Sequence, residues 1–181
     1  MACLEKPILE KPSLKAPEKP KLWVRLTALG AAALLVAADQ WIKVRIQWVT
    51  APPTGSPGVL IPHVLGLQYT RNTGISFSLF GDSPAAMRAV SAITALVLLT
   101  GAVLLLSGKL RGGYLAGAVP VLAGGAGNLV DRLLHGYVVD YLELLFMRFA
   151  IFNFADVLIT CGVAWLAFWV LVWEPRARKK A

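Results

Sequence analysis

"FNFADVLITCGVAWLAFWVLVW" (152–173) carries a single charged side chain, Asp156, near its start. Its apolar residues do not recur every second or every third-to-fourth position. They run on without a polar face, the pattern of a helix surrounded by lipid rather than one lying on a soluble core. A hydrocarbon layer of roughly 30 Å takes about 20 such residues as a helix. Three further stretches meet the same test, 26–46, 87–106 and 113–134. The 181 residues are 57% hydrophobic and only 15% charged, where a soluble domain carries about a quarter. The expected fold is an all-α polytopic membrane protein of four transmembrane helices with a small strand-rich extracytoplasmic cap.

The formal charge of +8 raises a nucleic-acid reading, and its distribution argues against one. Lys6, Lys11, Lys15, Lys19, Lys21 and Arg25 precede or open the first span, Lys109 and Arg111 fall in the second connection, and Arg176, Arg178, Lys179 and Lys180 close the chain. With four spans all of these lie on one side of the membrane. The positive-inside tendency makes that side cytoplasmic, together with both termini. The expected organisation is a disordered cytoplasmic tail over 1–21, a membrane domain over 22–174 with the outer loop 47–86 as its cap, and a basic cytoplasmic tail over 175–181. The first tail is rich in Pro, Lys and Glu and cannot bury a core. The first span is too long for a cleavable signal segment. Cys3 and Cys161 cannot meet on this topology, and Cys161 is expected to pack inside the fourth span.

The first outer connection opens with "TAPPTGSPG" (50–58), which breaks any helix. Val64, Leu65, Leu67, Tyr69, Phe77, Leu79 and Phe80 then suggest short strands around a turn at Asn72-Thr73-Gly74. The third connection, about 135–151, contains Asp140 and Glu143 among apolar residues and is expected to lie along the membrane surface.

Ten acids occur in the chain, and five of them, Asp39, Asp131, Asp140, Glu143 and Asp156, fall in or beside spans. An intramembrane charge costs about 3 kcal/mol on insertion scales, so each needs a partner or a function. All five are expected at the outer ends of their helices. Asp39 and Lys43 are four apart and able to pair. Asn128, Asp131 and Arg132 share a face at the end of the third span, where Arg132 is positioned to neutralise an acid, Asp131 first. Asn153 and Asp156 are three apart at the head of the fourth. Two carboxylates facing one site suit peptide hydrolysis, one ionised to activate water and one protonated to polarise the carbonyl, since close like charges cannot both ionise. The residues alone leave this reading open beside a polar network that stabilises helix contacts and an ion pathway. No His-Glu-x-x-His motif or P-loop is present.

Taken in order, "DQWIK" (39–43), "RNTGISFSLF" (71–80), "GGAGNLVDR" (124–132), "GYVVDY" (136–141) and "FNFAD" (152–156) resemble the bacterial lipoprotein signal peptidases, the signal peptidase II family. The resemblance implies an intramembrane aspartyl endopeptidase of the bacterial inner membrane without metal or cofactor. It implies removal of the signal peptide from prolipoproteins bearing a diacylglyceryl cysteine, with the cut just before that cysteine. By the same resemblance Asp140 and Asp156 are the catalytic pair and Asp131 is the competing position. Asn72, Gly74, Asn128, Arg132 and Asn153 match residues that line the site or position substrate, and Asp39 with Lys43 match a supporting pair. Expected partners are lipidated prolipoproteins, membrane lipid and a globomycin-type inhibitor, with no nucleic acid and a monomeric state. The active site is expected near the outer leaflet. The alternative is a small proton-coupled transporter or channel using the same acids, which would need a polar path to the cytoplasmic side.

Overall fold

The structure, a computed structural model, describes residues 19–50, 55–73 and 84–174. Among these residues four helices are long and apolar enough to cross a membrane. They are α1 (Leu22–Thr50), α2 (Pro84–Leu106), α3 (Gly112–His135) and α4 (Phe154–Phe168), the last continued by a π-helical turn, Trp169–Trp173. Each expected span falls within one of them to within two residues. Three short strands, β1 (Gly58–Ile61), β2 (Leu65–Asn72) and β3 (Val138–Leu144), form an antiparallel sheet in the order β1-β2-β3. Positions 1–18 and 175–181 of the two expected tails lie outside the described residues.

The middle of the bundle is α3, which packs on α1, α2 and most extensively α4. Its glycines explain why. Helices in lipid gain little from burying apolar surface against each other, so close backbone approach through small residues replaces the hydrophobic drive. A side chain at Gly124 would overlap the Ala155 carbonyl of α4, and one at Gly162 of α4 would come within 2.7 Å of the Gly117 carbonyl. By contrast α2 packs chiefly on α3 and scarcely meets α4; at its far end the Leu106 carbonyl accepts from Arg25 Nη1 of α1. Outward surfaces stay apolar, with Leu34, Trp48, Leu96 and Leu171 more than half exposed, as lipid contact requires.

Two local devices end one element and begin the next at the functional end of the bundle. Gly136 stops α3 in a left-handed conformation (φ 74°), its N–H donating to the Arg132 carbonyl, a common glycine stop. Asn153 starts α4 through a capping box. Its side chain accepts from Asp156 N (3.0 Å), and the Asp156 carboxylate accepts from Asn153 N (3.1 Å). Between them β3 pairs with β2, setting Asp140 opposite Thr70 and Val138 opposite Asn72, with a register shift between Leu67 and Thr70. The chain then returns so that Phe152 and Leu142 exchange backbone hydrogen bonds of 2.8 and 3.0 Å.

The hairpin between β1 and β2 turns at Pro62-His63, where His63 takes φ 62°. Asn72 is the last residue of β2, and the expected turn at Asn72-Thr73-Gly74 falls only partly within the described residues. Gly74, Phe77, Leu79 and Phe80 lie outside the described residues. The first part of the third connection is β3, packed against α1 and α3, while Leu145, Phe146, Met147 and Phe149 after it are exposed. Val138, Val139, Asp140 and Tyr141 are all buried, so the polar/apolar alternation that marks a half-exposed strand is missing.

The glycine contacts can be tested by adding one methyl. Gly124→Ala must push α4 away from α3, an overpacking penalty of about 1–3 kcal/mol, and should lower the thermal midpoint in detergent by about 5 °C. Gly30→Ala, with nothing within 4 Å of the added carbon, should leave the midpoint unchanged or slightly raised.

Candidate active site

The most buried charges in the molecule belong together. Lys43 Nζ lies 2.8 Å from Asp39 Oδ2 and 3.0 Å from Asp131 Oδ2, and donates to Asn128 Oδ1 at 3.1 Å. Asp39, Lys43 and Asp131 are at most 2% exposed. An ammonium has three N–H donors, and here all three are used. The remaining carboxylate capacity goes to backbone. Asp39 Oδ1 accepts from Ala155 N (3.1 Å), and Asp131 Oδ2 accepts from Val139 N (3.0 Å). Gln40 donates to Asp131 Oδ1 (3.0 Å) and to the Gly127 carbonyl (3.1 Å). A side chain at Gly127 would overlap Asp39, so this glycine lets α1 bring its carboxylate against α3.

Those two amides belong to the residues immediately before Asp156 and Asp140. The ion triad therefore grips the backbone of both, while asparagines hold their carboxylates. Asp140 Oδ1 accepts from Asn153 Nδ2 (2.6 Å) and Oδ2 from Asn72 Nδ2 (2.9 Å). Asp156 Oδ1 accepts from Asn128 Nδ2 (2.8 Å). Asn153 Nδ2 also reaches Asn128 Oδ1 at 3.1 Å, so a continuous chain runs from Asp140 through Asn153 and Asn128 to Asp156. Burial pushes the Asp140 carboxyl up to about 6; the Asp156 charge adds to this, and the hydrogen bonds from Asn72 and Asn153 oppose it. The Tyr141 hydroxyl accepts from Phe154 N (3.2 Å) and steadies the start of α4.

Asp140 and Asp156 open onto a cavity of about 500 Å³. Its polar lining is completed by Asn72, Asn128 and Arg132, and its apolar lining includes Val90 of α2, Phe149–Phe152 and Val157 of α4. The wide, largely apolar wall with a few convergent polar groups is the usual form of a ligand site. The cavity lies between α2, which contributes Val90, and α4, which contributes Val157 and Thr160, two helices that scarcely touch.

The structure brings together Asn72, Asn128, Arg132, Asp140 and Asp156 on the cavity wall, with Asn153 buried between Asp140 and Asn128, and Asp39, Lys43 and Asp131 behind them. Gly74 lies outside the described residues. The expected neutralisation of Asp131 by Arg132 does not occur: Asp131 turns to Lys43, and Arg132 Nη1 donates to the Asn128 carbonyl (3.3 Å). Adjacent residues on a helix point to different faces, and these two face α1 and the cavity. Cys161 is exposed and lines the cavity instead of packing, since α2 leaves that face of α4 uncovered. Sequence reading assigned no role to Gln40, whose position beside Asp39 in "DQWIK" was the available signal. Nor did it anticipate the amides of Val139 and Ala155, which carry no side-chain signal. Among the described residues no three His, Cys, Asp or Glu side chains are grouped to hold a metal ion.

A family model described as "Signal peptidase (SPase) II" matches residues 31–172. The lipoprotein signal peptidase of Thermosynechococcus vestitus is 38% identical over 154 residues, covering 85% of this chain and 91% of that protein. The lipoprotein signal peptidase of Enterococcus faecalis is 35% identical, covering 82% and 89% respectively. A bacterial membrane enzyme solved by the in meso method at 2.3 Å superposes with a TM-score of 0.71 and 26% identity, over 86% of this chain and 93% of that one.

Removing the central cation tests whether the triad carries the site. Lys43→Met leaves Asp39 and Asp131 buried without a counter-charge, a loss of about 3–5 kcal/mol. Its thermal midpoint in detergent should fall well below that of the wild type. Adding Asp39→Asn and Asp131→Asn to Lys43→Met should recover much of the loss, because no uncompensated charge then remains. A triple variant no better than Lys43→Met alone would show that the charges are not the cause.

Proposed function

The chain belongs to the signal peptidase II family, and from that premise we propose that Asp140 and Asp156 are the catalytic dyad of this aspartic-type peptidase. The family's activity is signal-peptide removal from prolipoproteins. One observation carries the assignment. Among the described residues, the carboxylates that line the cavity are Asp140 and Asp156, whereas Asp131, the competing position, is 1% exposed and committed to Lys43, Gln40 and Val139 N.

The mechanism follows from the environments of the two acids. Asp156 sits in the first turn of α4, where the helix dipole favours a negative charge, and acts as the base. Asp140, with its raised carboxyl, holds the proton of the pair. Asp156 takes a proton from water as the water oxygen bonds to the scissile carbonyl carbon, and Asp140 gives its proton to the carbonyl oxygen. The resulting gem-diol collapses when Asp156 returns its proton to the amide nitrogen, the C–N bond breaks, and a hydroxyl proton goes back to Asp140. Held asparagines keep both acids in place without reorganisation during the reaction. Asn72 and Arg132 are the polar groups available to substrate backbone beside them.

The substrate in this reading is a diacylglyceryl-modified prolipoprotein, cut just before its lipidated cysteine. The cavity between α2 and α4 admits the signal helix from lipid. The basic residues Lys19, Lys21, Arg25, Lys109 and Arg111 at the opposite end of the bundle support a cytoplasmic side there, with the dyad at the level of the outer leaflet in this reading. A globomycin-type cyclic peptide would compete for the same cavity. The protein acts as a monomer, the site being assembled within one chain.

Cleavage of a lipidated prolipoprotein by purified variants tests the assignment. Asp140→Asn and Asp156→Asn should each lose more than about 10²-fold, while folded Asp131→Asn keeps turning over within about tenfold of wild type. Near wild-type turnover by Asp140→Asn would overturn the dyad. The pH profile gives a second check. The acid role needs the protonated form of Asp140, so kcat/KM should fall as pH rises through about 6. Asn72 stabilises the ionised form by its hydrogen bond, so Asn72→Ala should move that limb to higher pH.

A further inference from the structure

A second cleft opens at the same end of the bundle, on the far side of Arg132. The helices α2 and α3 are tightly packed in the half away from the sheet, where Gly101 receives Leu122 and Gly125 lies against Leu98. Towards the sheet they splay. The gap is a cavity of about 660 Å³ lined by Arg88, Ser91, Ala92 and Ala95 of α2 and by Leu129, Arg132 and Leu133 of α3. Arg132 lines both this cleft and the catalytic cavity.

The chemistry of the lining is that of an amphiphile site. It carries two guanidinium groups at its mouth and the hydroxyls of Thr73 and Ser91, the latter donating to the Met87 carbonyl, and no acid lines it among the described residues. Arg88 is exposed and forms no ion pair among the described residues, and Arg132 Nε is buried without a hydrogen-bond partner there. Below the mouth the walls are alanine and leucine. From Arg88 to Ala95 is about 10 Å along the helix, enough for the first part of an acyl chain. Guanidinium groups on two helices suit a phosphate, which they can bind through paired N–H donors.

We propose that this cleft binds an anionic phospholipid, its phosphate between Arg88 and Arg132 and one acyl chain along Ala92 and Ala95. Bound there, the lipid fills the gap between α2 and α3 and fixes the sheet-proximal half of α2, a helix that packs chiefly on α3. It also engages the guanidinium whose other side faces the dyad. Lipid in this cleft is thus a structural ligand of the wall that separates it from the catalytic cavity.

The test reads thermal stability and does not depend on peptidase activity, so it stands or falls apart from the catalytic assignment. Delipidated protein in neutral detergent is titrated with phosphatidylglycerol or phosphatidylcholine of the same chains, and with inorganic phosphate. Phosphatidylglycerol near saturation should raise the wild-type Tm by about 5 °C. Phosphatidylcholine should give less than half of that rise, and inorganic phosphate none. Arg88→Gln and Ala92→Phe alter exposed positions, one removing the cation and the other filling the groove, and both should fold and lose most of the rise. Equal stabilisation of the wild type and both variants would overturn the site. Equal effects of the two lipids would overturn its charge selectivity, and an equal effect of inorganic phosphate would overturn the lipid as occupant.

Discussion

One ammonium group organises the functional end of this molecule. Lys43 neutralises acids from two helices and spends its last donor on Asn128. The two acids pass the restraint on to the amides of Val139 and Ala155, and Asn128 passes it on to Asp156 and Asn153. Buried ion clusters are weak evidence for stability, since desolvation opposes the Coulomb gain. Their value here is geometric. A strand, a helix start and two transmembrane helices are fixed to a common point by groups that tolerate little displacement in a low-dielectric interior.

This arrangement divides the acids by role through their surroundings. Asp39 and Asp131 are saturated by a cation and backbone donors and are sealed from the cavity. Asp140 and Asp156 receive amide donors from neutral side chains and remain open to it. Five acids near one end of the bundle thus become two that line the cavity and two that hold them, with Glu143 on the sheet. The same residue type serves both purposes because its neighbours differ.

Much of this was legible in the sequence, for identifiable reasons. The spans stand out because lipid requires long unbroken apolar runs, and α1 extends past its expected ends because Leu22–Arg25 and Gln47–Thr50 continue the helix into less apolar ground. The pairing of Asp39 with Lys43 follows from a four-residue spacing. What was hidden depends on contacts distant in the chain. Nothing in "VVDYLEL" marks a strand buried on both faces, and Asp131 has a basic neighbour in sequence that proves not to be its partner. The cavity between α2 and α4 was equally invisible, since it depends on how little these two helices touch.

The distribution of polar groups along the helices also settles what kind of work the membrane can do here. From Asp39, Asp131 and Asp156 toward the opposite end, no further Asp, Glu, Lys or Arg side chain enters α1 before Arg25, α3 before Arg111 or α4 before Glu174, and α2 carries none after Arg88. Between the two ends the helices thus carry no charged side chain, so the groups that can hold or move a proton are gathered beside the cavity. In the proposed function, hydrolysis would draw on these groups alone, and the apolar length of the helices would serve to hold the protein and a lipid-linked substrate in the same layer.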